Sequence, residues 1–402
     1  MPVSPDPGEV ARRIVAHFRA LQRDLPWRRT RDPYAIWISE IMLQQTRVAA
    51  VIPYYQRWMA RFPTVRDLAQ ATLDEVLAAW AGLGYYSRAR NLHRCSQAIA
   101  ARHGGVLPDS AQALRALPGI GRYTAGAIAS IAFGHDEPVV DGNVARVLAR
   151  IYEIELDIRS PAGQRVLWEL AGALLPAGSA SDFNQGMMEL GAMVCTPARP
   201  SCLVCPVRDL CRAQASGRQD GLPVRPASRL SSQLTRIEAS ALWITQRGQL
   251  LLARRAPRGL YGGLWELPQT EDASQLETLI PRPAGGSSPA VRLAGLEPML
   301  EYSQILSHRQ LRIRVFRAAP AGPLPRSFAP VLARDGGHDA SSYDAFAWHT
   351  RKTLGELGLS SATQNIIDQI AENHGWNARK HRPERRKRST SLPKVTPGSS
   401  PG

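Results

Sequence analysis

No apolar run in this chain approaches the ~18 residues needed to span a bilayer, and the opening stretch MPVSPDPGEVARRIV lacks the apolar centre of a secretory signal. These absences lead to the expectation of a soluble, intracellular protein with no membrane contact. Acidic residues are also in short supply: 34 Asp and Glu stand against 50 Lys and Arg, a formal charge of +16. A balance this basic points to a polyanionic partner, nucleic acid ahead of a membrane surface. Cysteine is nearly absent outside one short stretch. Of five, four crowd into residues 195–211, and Cys95 alone sits in a helical pattern as a small core residue. In a reducing compartment such crowding indicates a metal centre rather than disulfides.

Strand signals are missing from about Pro7 to Ala215. Ala, Leu and Ile recur there at three- and four-residue spacing, broken by turns such as FPT, GLGYY, LPGIG and LLPAG. The expectation is an all-α domain over 1–215, followed by a polar, Gly/Pro/Ser-rich linker over 216–235. The period then changes: EASALWITQ, QLLLARR, LWELPQ and LRIRVFRA read as strands, and SATQNIIDQIAENH as a closing helix, giving an α+β domain over 236–376. Two domains suit 402 residues. Residues 377–402 form a basic, low-complexity tail expected to be disordered.

Four features carry chemistry. In SEIMLQQTRV, at 100° per residue, Glu40, Gln44 and Arg47 share one stripe of an otherwise apolar helix. Alone, that stripe suits a solvated face, whereas a buried carboxylate would be pushed towards its neutral form. The segment LPGIGRYTAGAIASIAFG joins two helical patterns, near 112–133. Gly119 and Gly121 therefore belong to a helix–hairpin–helix, not a Rossmann turn, and let a phosphate approach the backbone, with Arg122 at the entrance. In VVDGNVARVLAR, Asp141 precedes a helix as its N-cap, where the dipole and free N–H groups favour the anion. A neutral carboxyl paired with an ionised one is what glycosidic cleavage needs, so the reaction class is N-glycosidic cleavage in DNA. Finally, Cys195, Cys202, Cys205 and Cys211 have gaps of six, two and five residues, compatible with zinc or an iron–sulfur cluster. Arg199 and Arg208 in that loop suit a phosphate backbone.

Taken with GLGYYSRARNL, these motifs resemble the MutY adenine DNA glycosylases of the helix–hairpin–helix superfamily, in the expected order over residues 8–370. The resemblance implies a helical catalytic domain with a [4Fe–4S] cluster on the four cysteines, and a C-terminal Nudix-like domain. It implies a monomer that excises adenine mispaired with 8-oxoguanine or guanine in double-stranded DNA, the base being flipped into a pocket. The protein would be cytoplasmic and nucleoid-associated in a bacterium, nuclear or mitochondrial in a eukaryote. By position, Glu40 would protonate adenine N7, Asp141 would stabilise the oxocarbenium ion, and Tyr123 and Asn143 would support them. Trp27, Arg28, Leu43, Gln44 and Gln185 would line the adenine pocket. Gln45, Leu83 and Tyr85 would probe or wedge the duplex. Tyr123 occupies the place where strand-cutting relatives carry a Schiff-base lysine, so a monofunctional glycosylase is expected. In the Nudix-like half, GGLWELPQ lacks the acidic metal-binding helix of the hydrolases, which implies recognition without nucleotide hydrolysis. Ser307 and His308, in ILSHRQLRIRVF, would contact 8-oxoguanine; the family usually has Phe at Leu306. The rival readings are an endonuclease III-like enzyme for oxidised pyrimidines, disfavoured by Tyr123 and the second domain, and a catalytically silent redox-sensing DNA binder, disfavoured by the two carboxylates.

Overall fold

The structure is a computed structural model, and it describes residues 5–224, 234–257, 259–281, 289–306, 309–322, 324–325, 328, 343–374 and 376. The expected 8-oxoguanine contacts Ser307 and His308, much of the linker and the whole basic tail lie outside the described residues.

The first half contains α1 (Pro7–Leu21), α2 (Pro33–Leu43), α3 (Val48–Arg61), α4 (Val65–Gln70), α5 (Leu73–Trp80), α6 (Ser87–Arg102), α7 (Ala111–Arg115), α8 (Arg122–Ile131), α9 (Gly142–Ile151), α10 (Pro161–Ala173), α11 (Ala180–Met193) and α12 (Arg212–Ala215). Local chemistry starts many of them. Asp6 and Asp32 cap helices that begin with proline, and Thr64 with Asp67 and Thr72 with Glu75 close capping boxes. Each arrangement satisfies N–H groups that have no partner inside the helix. Two apolar cores follow. One gathers Trp37, Trp58 and Trp80 from α2, α3 and α5, and the other joins Ile14, Leu148 and Phe183 from α1, α9 and α11. No helix among the described residues is long and apolar enough to cross a membrane.

The second half holds β1 (Thr235–Gln246), β2 (Gln249–Arg255), β3 (Trp265–Glu266), β4 (Gln269–Thr270), β5 (Val291–Leu293), β6 (Leu300–Leu306), β7 (Arg309–Pro320), β8 (Tyr343–His349) and α13 (Ser361–His374). The central path runs β3-β2-β1-β7-β5, with β8 on β2, β4 on β1 and β6 on β7. β1 and β7 are parallel from Thr235↔Arg309 to Ile244↔Ala318, and the other pairs are antiparallel. Ile366, Ile367 and Ile370 of α13 pack against Leu250, Leu252 and Ile313 of the sheet.

The sequence expectation of one strand across LWELPQ needs correcting. It divides into β3 and β4, which pair with different partners. Pro268 stands between them and has no N–H to continue a ladder.

The two halves are packed together. Leu264 enters the core of α2–α6, Trp265 Nε1 donates to Asp74 at 3.3 Å, and Tyr86 Oη donates to the Leu359 carbonyl at 3.1 Å. At Gly358 a Cβ would lie 2.5 Å from Cβ of Leu77, so only glycine permits this approach.

Candidate active site

A cavity of about 860 Å³ opens between the two helical cores. It is lined from α2 by Glu40 and Leu43, from the next turn by Gln44 and Gln45, from α8 by Tyr123, and from the start of α9 by Asp141 and Asn143. The Pro26–Arg28 turn adds Trp27 and Arg28, and α11 adds Gln185, Met188 and Glu189. Residues far apart in sequence are thus brought to one space, and all five of those assigned to an adenine pocket line it.

Glu40 is only 6% exposed. Tyr123 Oη donates to its Oε2 at 2.5 Å and also lies 3.2 Å from Sδ of Met188. Burial pushes the Glu40 carboxyl up, the Tyr123 hydrogen bond pulls it back, and the charge of Asp141 raises it again, leaving it at about 7. A carboxyl in this state carries a proton for a substantial part of the time at neutral pH. Burial likewise raises the Tyr123 hydroxyl well above its ordinary value, so Tyr123 remains a donor.

Asp141 caps α9 as its sequence context suggests, accepting from the Val144 N–H at 2.7 Å. Asn143 Nδ2 donates to its second oxygen at 2.9 Å. The expectation that the helix terminus would decide its ionisation requires correction. Burial raises the Asp141 carboxyl despite the hydrogen bonds from Val144 and Asn143, because losing water around the carboxylate costs more than those donors return.

Asn143 in turn accepts from Arg146 Nη2 at 2.9 Å, and Arg146 Nε donates to the Cys195 carbonyl at 2.7 Å. A continuous hydrogen-bonded path therefore joins the cysteine loop to Asp141. Arg150, 2% exposed, reaches the same loop through the Thr196 carbonyl at 2.7 Å and Cys195 Sγ at 3.3 Å. Cys195, Cys202, Cys205 and Cys211 all border one pocket walled by Val147, Ile151 and Leu190. Among the described residues no three His, Cys, Asp or Glu side chains come together as holders of a single metal ion.

The polar stripe expected along one helix also needs correcting. α2 ends at Leu43, and Arg47 is the N-cap of α3, so Glu40, Gln44 and Arg47 do not share a continuous helix. Gln44 Nε2 instead faces Thr124 Oγ1 at 3.4 Å, while Gln45 is exposed in left-handed backbone, φ 58°. Leu83 and Tyr85 do not line the cavity. Leu83 is buried in the first core, and Tyr85 is half exposed with φ 47°.

At the hairpin, Gly119 has φ 78° and lies so close to Asn91 that a Cβ would meet its Cβ at 2.7 Å. Gly121 is the N-cap of α8 and supplies no side-chain acceptor, which leaves the first N–H groups open to an anion. Arg122 stacks its guanidinium 3.7 Å from the Trp168 ring centroid.

Sequence reading missed Glu189 and Arg23. Glu189 accepts from Arg23 and Arg28, each at 2.7 Å. Burial raises its carboxyl, but the two arginines outweigh burial and hold it at about 2. The available signal was its position one turn after Gln185 on α11, which places both on one face.

Residues 38–171 match the HhH-GPD superfamily base excision DNA repair protein family, and residues 239–369 match the NUDIX domain family. The adenine DNA glycosylase of Homo sapiens is 41% identical over 412 residues, covering 88% of this chain and 72% of its own length. That of Rattus norvegicus is 38% identical over 434 residues, covering 93% of this chain and 81% of its own. A solved thermostable thymine-DNA glycosylase, 32% identical, superposes on 52% of this chain and 95% of its own with a TM-score of 0.48.

Proposed function

The chain belongs to the adenine DNA glycosylase family, and on that premise we propose that the adenine it hydrolyses from DNA stands opposite 8-oxoguanine or guanine. The observation that carries the chemistry is the buried Glu40, poised near neutrality in a cavity that also holds Asp141.

In this reading the flipped adenine enters the cavity. Tyr123 engages Oε2 of Glu40, which leaves Oε1 to deliver a proton to adenine N7. A protonated base leaves as a neutral group, and positive charge develops on the sugar. Asp141, fixed by Val144 and Asn143, stabilises that charge or bonds transiently to the sugar, and water completes the hydrolysis. The ion-paired Glu189 stays charged beside Arg28 and is suited to orienting the base rather than protonating it. Tyr123 in the lysine's place supports a monofunctional enzyme. Gly119, Gly121 and the open start of α8 would hold the backbone, with Arg122 steadied by Trp168.

Recognition of the opposite base falls to the Nudix-like half, through Ser307 and His308. The test compares adenine opposite 8-oxoguanine with adenine opposite guanine in single-turnover excision. The Ser307→Ala/His308→Ala double variant should lose much of the preference for 8-oxoguanine; an unchanged preference would remove the loop from that role.

The four cysteines fit a [4Fe–4S] cluster as the resident group. All four border one shared pocket, and Cys₄ ligation is the pattern such clusters use. When bound, the cluster crosslinks the loop; it supplies no group to glycosidic cleavage. Elemental analysis of the purified protein should find about four irons and four sulfides per chain. One zinc and no sulfide would contradict the assignment.

A further inference from the structure

Arg88 is a buried cation of α6, 8% exposed, and no carboxylate among the described residues pairs with it. Its partners are backbone carbonyls and one hydroxyl. Nη1 lies 2.9 Å from the Ile41 and Met42 carbonyls and 2.7 Å from that of Gln44. Nη2 lies 3.1 Å from the Leu83 carbonyl, 3.2 Å from that of Gly84, and 3.2 Å from Thr46 Oγ1. The first set caps the C-terminus of α2, where a cation is favoured by the dipole. The Leu83 and Gly84 carbonyls belong to the GLGYY turn, and Thr46 belongs to the turn that follows α2.

Burying an unpaired charge is costly, and burial pushes the Arg88 guanidinium down to about 10. Capping one helix would not require it, since glycine or water could do that. What it secures is the junction between two turns, each with a non-glycine residue at positive φ: Gln45 at 58° and Tyr85 at 47°. Such backbone is itself strained and persists only when its surroundings hold it. Trp80 completes the junction, with its ring 5.1 Å from the guanidinium and its Nε1 donating to the Gly84 carbonyl at 3.0 Å.

We propose that Arg88 is a positioning residue for base flipping: its planar fork clamps the Gln44–Arg47 turn to the Leu83–Tyr85 turn, so that Gln45 and Tyr85 meet the duplex as one rigid unit. This rests on the reading that Gln45 and Tyr85 engage the base stack. Lysine has three donors on a single nitrogen and cannot reproduce the contacts that Nη1 and Nη2 make from two separate positions.

The test is single-turnover excision of adenine opposite 8-oxoguanine in two duplexes. One is intact, and in the other the adenine is flanked by an abasic site, so its stack is already broken. Arg88→Lys should slow the intact duplex roughly 10- to 100-fold, the scale set by small misplacements, and slow the broken-stack duplex far less. In a Tyr85→Ala/Gln45→Ala background the same substitution should cost almost nothing more. Thr46→Val removes the one side-chain acceptor while leaving the guanidinium in place, and should show the same pattern more weakly even if Arg88→Lys folds poorly. Equal losses on both duplexes, or full additivity with Tyr85→Ala/Gln45→Ala, would mean that Arg88 only supports the fold. If Tyr85→Ala/Gln45→Ala alone leaves the intact duplex unaffected, the base-stack reading fails first and this inference falls with it.

Discussion

Glu40→Gln is expected to slow adenine release by roughly 10²- to 10⁴-fold, the range associated with a general acid, while duplex binding stays close to that of the parent protein. The substitution keeps volume and shape. Its amide oxygen can still accept from Tyr123, which now donates to Oε2 at 2.5 Å, so the cavity and its lining are preserved. What disappears is the proton. The first N–H groups of α8 and the stacked Arg122, which would hold the backbone, are untouched. Binding by gel shift and single-turnover release, measured on the same preparation, separate the two effects; retained turnover would remove Glu40 from the acid role. Stability provides a second readout. The folded carboxyl titrates near 7 against about 4.3 in an unfolded chain. Its contribution to stability is therefore complete below about 4.3 and is lost as pH rises through about 7. Glu40→Gln has no such loss, so its Tm relative to the parent should be higher at pH 8 than at pH 5.

Asp141→Asn is the next largest effect expected, a loss of roughly 10²- to 10³-fold in the excision rate, the scale of removing one preorganised electrostatic group. Asparagine is itself a good N-cap, so the 2.7 Å bond from Val144 can persist and α9 should keep its start. The second bond, from Asn143 Nδ2 at 2.9 Å, is lost if the new amide turns its nitrogen that way. The predicted signature is a large rate loss with a stability change of about 1 kcal/mol or less, read by single-turnover kinetics beside thermal unfolding. A rate within a few-fold of the parent would show that the sugar's charge is stabilised elsewhere. A loss matched by a collapse in stability would make Asp141 chiefly a cap.

Much of the site was legible because its signals are local. The acid inside PYAIWISEIML suits a solvated face when taken alone and reads as an active-site acid only beside the other motifs, whereas an Asp before Gly–Asn–Val announces a helix start by itself. The four cysteines and the glycine hairpin were likewise written in short spacings. The unread parts are those decided across the chain. α2 stops at Leu43 where Arg88, more than forty residues later in sequence, takes its last carbonyls; periodicity alone extended the helix through Arg47. Glu189 looks like any acid on an amphipathic helix until Arg23 and Arg28 arrive from before α2. The raised Asp141 carboxyl reflects burial supplied by neighbouring elements, which outweighs the favourable terminus visible in sequence. In the second half, β6 reads LEYSQIL and alternates between half-buried and exposed residues, with no apolar face to mark it. Its pairing with β7, from Leu300↔Val315 to Leu306↔Arg309, makes it a strand.

The pH dependence of adenine release under single-turnover conditions tests the central claim, that a buried, protonated Glu40 drives the reaction. For the parent protein on adenine opposite 8-oxoguanine, the rate should fall by a factor approaching ten per pH step above about 7, as the carboxyl that sits there loses its proton. The residual rate of Glu40→Gln should lack that falling limb. A parent profile that stays flat from pH 6 to 9, or a Glu40→Gln variant that keeps the falling limb, would contradict it.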